Sequence, residues 1–286
     1  MLRMNLVLGA GLVSLVAAAP AFSAVAYYRF ENNLASQDNS PTLDATAGST
    51  AGYSSDVPGA SIFDPIGNTT IANTKSYSHG TGSGSALSNT SILNNLVGSS
   101  SFTVEAFVKL TSSDVNDLKF DLIMGNLNPT GSEGWLLGLN AQGKLRFSAS
   151  QTNGGTYKEA SDTNALSPGW HHVAAVGIFT NKTGTGLVDY TDVQLYVDYA
   201  AVGASIRYFG PASSGDPGNL GPVIVTSSNN YTIGANNPFS GLIDEVRIFN
   251  SPLSTSQMLT AVVPEPAGLG LLGAGALLMI RRRRAR

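Results

Sequence analysis

Short segments in which apolar and polar residues alternate recur through the middle of this chain. Clusters of Gly, Asn, Ser and Pro separate them, and 32 of the 286 residues are glycine. Alternation with a period of two is typical of β-strands, because successive side chains point to opposite faces of a sheet. A helical period is absent between the two ends, except that residues 255–262, after Ser254 as N-cap, predict a short helical turn. We therefore predict an all-β domain.

Nine segments carry the strand pattern most clearly. They are residues 27–30, 102–110, 122–126, 135–139, 144–149, 171–179, 193–197, 231–234 and 242–249. The stretch 32–100 is rich in Ser, Thr, Asn and Gly and shows the pattern poorly. We predict long surface loops there.

The N-terminal residues have the organisation of a secretory signal peptide. Arg3 precedes an uncharged apolar run over residues 6–19, and small residues follow it. Ala24-Val25-Ala26 fits a cleavage site before Tyr27, and a second site lies after Ser23. We predict a signal peptide over residues 1–26 and export of the rest of the chain.

The C-terminal residues 263–286 form a tail of three parts. Pro264, Glu265 and Pro266 come first, and residues 267–280 then contain no polar side chain. A basic cluster follows, made of Arg281, Arg282, Arg283 and Arg284. Fourteen residues give a helix of roughly 21 Å, which is short for a bilayer core of about 30 Å. We predict a short transmembrane helix over 267–280 with the arginines in the cytoplasm.

This tail resembles the PEP-CTERM sorting signal of Gram-negative bacteria. The resemblance implies recognition by an exosortase-type protease, removal of the tail, and an association with exopolysaccharide or biofilm matrix. The protein would then lie in the cell envelope and afterwards at the cell surface or outside the cell. An ordinary tail anchor is the alternative.

The charge of the segment between the two ends excludes nucleic acid as a partner. Residues 27–263 carry 10 basic and 18 acidic side chains, a net charge of −8. Proteins that bind nucleic acid do so by neutralising phosphates with Lys and Arg. The chain contains no cysteine, which excludes thiol nucleophiles and Cys-ligated zinc.

A series of sequence blocks over residues 101–254 indicates a more specific fold. The blocks lie at residues 101–108, 134–138, 143–147, 169–174, 193–198, 231–234 and 239–250. Their order and spacing resemble the laminin-G-like domain of the concanavalin A-like lectin/glucanase superfamily, over about residues 27–262. The resemblance implies a jelly-roll sandwich of two antiparallel sheets.

In a jelly roll the first and last strands are often neighbours. This pairing predicts the contacts of several individual side chains. Tyr28 and Phe30 are expected to pack inward near Val246 and Ile248. Cross-strand charge pairs are expected between Arg29 and Glu31 on one strand and Glu245 and Arg247 on the other. Trp170 is expected in the core.

No catalytic constellation is recognisable in the sequence. Glucanases of this superfamily carry a Glu-x-Asp-x-x-Glu type motif on one strand, and that motif is absent. Asp244 and Glu245 are adjacent, so in a regular strand they would face opposite sides. His171 and His172 are also adjacent, so in a regular strand their side chains would face opposite sides and could not easily bind the same metal ion. We predict a non-catalytic protein, with a carbohydrate-active enzyme of the same superfamily as the alternative.

The resemblance also implies a calcium ion, bound by loop carboxylates and carbonyls. The candidate acids are Asp38, Asp114, Asp117, Asp121, Asp162 and Asp216. Ordinary turn aspartates are the alternative, and the residues do not define a ligand set. Aromatic residues that could stack on sugars are Tyr157, Tyr199, Tyr208 and Phe209. The expected function is binding of polysaccharide or protein in the extracellular matrix or biofilm, with a purely structural matrix role also open.

Overall fold

The computed structural model describes a β-sandwich. The described residues are 24–37, 45–46, 52–78, 85–87, 100–111, 121–126, 134–150, 157–182, 189–210, 231–234 and 241–262. The predicted signal-peptide residues 1–23 and the predicted tail 263–286 lie outside them. Within the described part, no helix is long and apolar enough to cross a membrane.

The described residues form eighteen strands and one 3₁₀ helix. The strands are β1 (Ala24–Tyr28), β2 (Ala45–Thr46), β3 (Gly52–Ser54), β4 (Ser61–Asp64), β5 (Thr69–Ala72), β6 (Ser76–Ser78), β7 (Ser85–Leu87), β8 (Phe102–Leu110), β9 (Asp121–Gly125), β10 (Trp135–Leu139), β11 (Lys144–Ser150), β12 (Tyr157–Ala165), β13 (Gly169–Thr180), β14 (Tyr190–Val197), β15 (Ala200–Phe209), β16 (Thr232–Ile233), β17 (Leu242–Phe249) and β18 (Thr260–Val262). The 3₁₀ helix spans Thr255–Gln257.

Three antiparallel sheets contain these strands. The first sheet has the order β15-β14-β13-β8-β17-β6-β3, with β1 also paired to β17. The second sheet has the order β12-β11-β10-β9-β16-β7-β2, and the small third sheet has the order β18-β4-β5. The prediction of an all-β, two-sheet antiparallel jelly roll is confirmed, with the third sheet as an addition.

Side chains of the first and second sheets meet in one large core. Phe102, Val104 and Val108 come from β8, and Trp135 and Phe147 come from the second sheet. These residues alternate with outward-facing neighbours, as the period of two requires. Gly177 lies opposite Phe102 in the pairing of β13 with β8, and a Cβ there would come within 2.2 Å of the Phe102 ring. Because Gly177 has no side chain, the Phe102 ring can occupy this part of the core.

The prediction for the first strand is right in its packing and wrong in its bounds. Tyr28 pairs with Val246, and both Tyr28 and Phe30 lie in the core with Val246 and Ile248. The strand begins at Ala24 rather than Tyr27 and ends at Tyr28, because Phe30 has a left-handed φ of 58° that no strand accommodates.

The prediction of long surface loops over residues 32–100 is wrong for the described residues that form strands, and residues 38–44, 47–51, 79–84 and 88–99 lie outside the described part. This stretch contains β2 to β7, of which β3 and β6 extend the first sheet and β4 and β5 belong to the third. Their short length and their Ser and Thr content weaken the alternating pattern. The predicted helical turn over residues 255–262 is also shorter than expected, because only the 3₁₀ helix Thr255–Gln257 is helical and β18 follows it. The Ser254 amide donates to Gln257 Oε1 at 3.0 Å at the start of this helix.

The third sheet and the 3₁₀ helix cover part of the outer face of the first sheet. Phe107 of that face packs with Tyr27, Ile62 and Leu259 in a second hydrophobic cluster. Trp170 packs only at the margin of this cluster and remains partly exposed, with its indole Nε1 donating to Asp56 Oδ1 at 2.9 Å. The expectation that Trp170 lies in the core is therefore wrong. The buried tryptophan is Trp135, with 2% of its surface exposed.

The two tryptophans should differ in their contribution to stability. We expect Trp135→Ala to lower the free energy of unfolding by roughly 3–5 kcal/mol, because it removes a large side chain from the main core. Trp170→Ala should cost about 1 kcal/mol, because its indole is partly in solvent already. Urea unfolding followed by circular dichroism measures both values. Equal losses for the two variants would contradict this assignment of the core.

Candidate functional site

Strands β11 and β12 present a connected polar group on the outward face of the second sheet. Phe147 pairs with Ala160, and both face the core. The neighbouring pair Ser148 and Glu159 therefore points outward. Arg146 has the same parity as Ser148, and Tyr157 has the same parity as Glu159. We call Arg146, Ser148, Tyr157 and Glu159 the β11–β12 group.

The four side chains of the β11–β12 group are within hydrogen-bonding distance of one another. Arg146 Nη1 donates to the Tyr157 hydroxyl and to Glu159 Oε2, each at 3.1 Å. The Tyr157 hydroxyl is 2.8 Å from Ser148 Oγ and 3.0 Å from Glu159 Oε2. Partial burial raises the pKa of the Tyr157 hydroxyl, so it stays protonated at neutral pH.

The accessible half of the β11–β12 group lies on β12. Tyr157 is 41% exposed, whereas Ser148 is fully buried and Arg146 is 6% exposed. Buried Arg146 and Ser148 thus hold the Tyr157 hydroxyl and the Glu159 carboxylate from below. The arrangement offers an aromatic surface beside fixed donors and acceptors, which is the chemistry of a binding site for an uncharged polar ligand.

Of the four aromatic residues considered for sugar stacking, only Tyr157 is largely exposed. Tyr208 is fully buried, and its hydroxyl donates to Phe147 O at 3.1 Å. Tyr199 stacks on His172 with ring centroids 4.7 Å apart. Phe209 is partly buried beneath the Lys158 ammonium group, which lies 4.9 Å from its ring centroid. The sequence prediction did not identify the partners of Tyr157, although a strand over 144–149 puts Arg146 and Ser148 on the same face.

A buried ionic network occupies the outer face of the first sheet. Glu105 accepts from Arg247 Nε and from His172 Nε2, each at 2.7 Å, and from the Leu259 amide at 3.1 Å. Arg247 also pairs with Asp64 at 2.9 Å. Burial is the largest single influence on Glu105 and opposes its ionisation, but the Arg247 charge and the contacts with His172 and Arg247 together outweigh it, so the pKa of Glu105 lies below its ordinary value. The network attaches the segment 257–259 to the first sheet through Gln257 O and the Leu259 amide, and His172 Nδ1 is the buried atom of the network without a hydrogen-bond partner among the described residues.

The two adjacent histidines have separate partners. His172 binds Glu105, whereas His171 Nδ1 is 2.8 Å from Asp198 Oδ2 and its Nε2 is 3.1 Å from Ser167 Oγ. Of the expected cross-strand charge pairs, Arg29 with Glu245 is present at 3.2 Å. Glu31 does not pair with Arg247, which is occupied by Glu105 and Asp64.

The prediction that Asp244 and Glu245 face opposite sides is wrong. The pairing of β17 with β8 is irregular between Asp244 and Arg247, and Glu245 has a left-handed φ of 52°. This bulge inserts one extra residue between Ile243 and Val246, both of which face the core. Asp244 and Glu245 consequently lie together on the outer face. Burial, followed by the Glu245 charge, raises the pKa of Asp244 to about 9, and burial also raises the pKa of Glu245.

The calcium ligands considered from the sequence do not form a site in the described structure. Asp38, Asp114, Asp117 and Asp216 lie outside the described residues. Asp162 Oδ1 accepts from the Asn164 amide at 3.1 Å in a local turn, and Asp121 is buried at the start of β9. Nowhere in the described segments do three His, Asp or Glu side chains converge on a metal position.

Comparison with known proteins gives one family and several structural neighbours. No match was found among curated proteins. The receptor-binding domain of botulinum neurotoxin mosaic serotype C/D is 13% identical, with a TM-score of 0.46 over 82% of this chain and 49% of that chain. The botulinum neurotoxin serotype D binding domain is 16% identical, with a TM-score of 0.48 over 82% of this chain and 50% of that chain. This chain thus spans about half the length of the neurotoxin domains.

A smaller neighbour is the CBM40 of Ruminococcus gnavus IT-sialidase bound to α2,3 sialyllactose. It is 13% identical, with a TM-score of 0.37 over 57% of this chain and 83% of that chain. The family model Laminin_G_3, of the concanavalin A-like lectin/glucanases superfamily, matches residues 79–258, which is more than half of the chain. The chain therefore belongs to the Laminin_G_3 family of the concanavalin A-like lectin/glucanases superfamily.

Proposed function

We propose that this chain is an exported, surface-sorted and non-catalytic protein that binds polysaccharide in the extracellular matrix or biofilm. The observation that carries the proposal is the β11–β12 group, in which Tyr157 is 41% exposed and its hydroxyl is held by Arg146, Ser148 and Glu159. Membership of a superfamily that includes lectins supports the same function.

Carbohydrate suits the β11–β12 group because a sugar ring offers both an apolar face and hydroxyl groups. The Tyr157 ring can cover the apolar face, and the Glu159 carboxylate, with 27% of its side chain exposed, can accept from a hydroxyl. A protein partner is the alternative, since exposed Tyr is also enriched in protein interfaces. A purely structural role would leave the β11–β12 group without a ligand.

The proposal of a non-catalytic role follows from the positions of the carboxyl groups. Hydrolysis by the usual glycosidase mechanisms needs two carboxyl groups about 5–9.5 Å apart on either side of the scissile bond. Glu159 is the one carboxylate in the β11–β12 group, and it is paired with Arg146 at 3.1 Å. Asp244 and Glu245 are adjacent but fully buried, so a polysaccharide does not reach them. A carbohydrate-active enzyme is the runner-up.

The sorting part of the proposal rests on the two ends of the sequence. The signal peptide directs export, and an exosortase-type protease recognises Pro264, Glu265 and Pro266 while residues 267–280 are still in the membrane. β18 ends at Val262, two residues before this motif, so cleavage at the motif would leave every described strand intact. Removal of the tail then releases the domain from the cell envelope to the surface or the medium.

We expect Tyr157→Ala to weaken polysaccharide binding by about tenfold or more, because it removes the aromatic surface and the hydroxyl that Arg146 orients. The full chain, purified in mild detergent, is screened on a panel of bacterial exopolysaccharides and β-glucans. The affinity for the strongest ligand is then measured by calorimetry for each variant.

Tyr53→Ala is the matched control for this experiment. Tyr53 is 38% exposed and lies on β3, in the other large sheet. Its loss should leave the affinity unchanged. Equal weakening by both variants would refute the assignment of the site, and release of reducing ends that stops in Glu159→Gln would establish the enzyme instead.

The mature protein should begin at Ala24 and end near Pro264. Ala26 is fully buried and pairs with Ile248, so cleavage after Ser23 retains all of β1, whereas cleavage after Ala26 removes three of its five residues. Intact-mass measurement on protein from its native host reads both ends. A chain that still ends at Arg286 in a host with the sorting protease would show that the tail is an ordinary anchor.

A further inference from the structure

Three carboxyl groups come together where β17 bulges. Asp244 and Glu245 of the bulge are fully buried, and Glu31 lies beside them with 23% of its side chain exposed. Glu31 accepts from the Thr74 amide at 2.7 Å and from Thr74 Oγ1 at 2.5 Å. These bonds hold the segment 72–75, which joins β5 of the third sheet to β6 of the first sheet, against the bulge.

The single cation at the bulge serves Glu245 rather than Asp244. Across the described ranges, Arg29 is the only cation within 4.0 Å of these carboxyl groups. It pairs with Glu245 at 3.2 Å and approaches Glu31 at 4.0 Å. The Tyr27 hydroxyl also donates to Glu245. Glu245 therefore has the partners that a buried carboxylate requires, whereas Asp244 has no cationic partner in the described structure.

The other elements packed around the bulge supply no charge to Asp244. β8 places Phe107 opposite Asp244, and β6 places Tyr77 opposite the preceding residue, Ile243. The Lys75 amide lies 3.4 Å from Glu31 Oε1, but the Lys75 ammonium forms no ion pair with the described residues. The remaining charged groups near this face bind one another: Arg247 and His172 bind Glu105, and Lys109 binds Asp56.

These surroundings favour the neutral form of the Asp244 side chain. Burial, followed by the Glu245 charge, raises the pKa of Asp244 to about 9. The hydrogen bonds that Asp244 accepts from Asn73 and from the Glu245 amide oppose this rise but do not cancel it.

The side chain next to Asp244 contains an oxygen that lacks a donor. Asn73 is 2% exposed, and its Nδ2 donates to Asp244 Oδ2 at 2.8 Å. Its Oδ1 is buried and accepts no hydrogen bond from the described residues. Buried carbonyl oxygens nearly always have a partner, so Asn73 Oδ1 needs a donor that the ionised form of its neighbour does not provide.

A protonated Asp244 supplies such a donor. An ionised carboxylate can only accept hydrogen bonds, whereas a carboxylic acid carries one O–H and keeps acceptor capacity. The acceptor capacity is used already, because Oδ2 accepts from Asn73 and Oδ1 accepts from the Glu245 amide at 3.0 Å. A carboxylic acid and a primary amide are complementary, since each has one group to donate and one to accept.

We propose that Asp244 is retained as a neutral carboxylic acid at neutral pH and donates to Asn73 Oδ1, so that an acid–amide pair fastens the segment 72–75 to the bulge. One proton then satisfies the orphaned amide oxygen and removes the uncompensated negative charge. The contact weakens in alkaline solution, where the proton is lost. This pair is on the first sheet and does not depend on the β11–β12 group or on its ligand.

The first test compares Asp244→Asn with the unaltered full chain in mild detergent, by urea unfolding between pH 4 and pH 10. The asparagine carries no charge, and its amide N–H replaces the O–H as donor to Asn73 Oδ1. The folded unaltered protein keeps a proton that its unfolded chain releases above about pH 4, so it loses stability as the pH rises towards 9.

The unfolding equilibrium constant of the unaltered protein should therefore increase relative to that of Asp244→Asn by up to about tenfold per pH unit, and the ratio should level off above about pH 9. The variant should be the more stable protein at pH 8. A ratio that stays constant from pH 4 to pH 10, or a variant that is less stable at pH 8, overturns the proposal.

Infrared spectroscopy tests the proton directly, because the carbonyl band of a carboxylic acid is separate from the bands of a carboxylate. At pH 7 the unaltered protein should show an acid band that Asp244→Asn lacks and that Glu245→Gln retains. Asn73→Leu should shift this band, because the O–H loses its acceptor. Absence of the band from the unaltered protein, or its loss in Glu245→Gln alone, would contradict the proposal. If Asp244→Asn fails to fold, the band of the unaltered protein and its shift in Asn73→Leu decide the matter.

Discussion

The strand β17 is the element on which the rest of the described structure depends, because four other strands or segments are attached to it. It pairs with β8, with β6 and with β1, and so joins the N-terminal part of the domain to its centre. Its inward side chains Ile243, Val246 and Ile248 belong to the main core. Its outward Arg247 binds Glu105 and the carbonyl oxygen of Gln257, which holds the 3₁₀ helix against the first sheet.

The same strand carries two buried ionic sites of different character. Arg247 lies close to the opposite charge of Glu105, and Glu105 also accepts hydrogen bonds from His172 and from the Leu259 amide. A buried ion pair is tolerated when its hydrogen-bonding groups are satisfied in this way. Three residues earlier, Asp244 has the amide of Asn73 and the backbone of Glu245 as partners, but no cation among the described residues. The bulge causes this difference, because it turns two consecutive carboxyl groups to the same side.

The sequence predicts the central strands well and the peripheral ones poorly. β8, β10 and β17 have the predicted bounds, because their apolar side chains face a core on at least one side and the alternation is strong. β12 and β15 were not predicted, since both are edge strands whose side chains are mainly polar or small. The positive φ of Glu245 has no sequence signal, because glycine is the residue that usually adopts such a conformation. The faces of Asp244 and Glu245 were therefore beyond sequence analysis.

The position of the proposed binding site depends on Tyr208. The sequence suggested Tyr208 as a sugar contact, but in the structure it supports the two strands that form the site. Tyr208 of β15 is fully buried, and burial raises the pKa of its hydroxyl, which therefore remains a donor. This hydroxyl reaches Phe147 O at 3.1 Å and Lys158 O at 3.4 Å. It thereby joins an edge strand of the first sheet to β11 and β12, the two strands that present the β11–β12 group. Tyr157 lies one residue from Lys158, so its position is fixed by a contact made across the core. A ligand that meets a side chain already held in place loses less conformational entropy on binding than one that must order a loop.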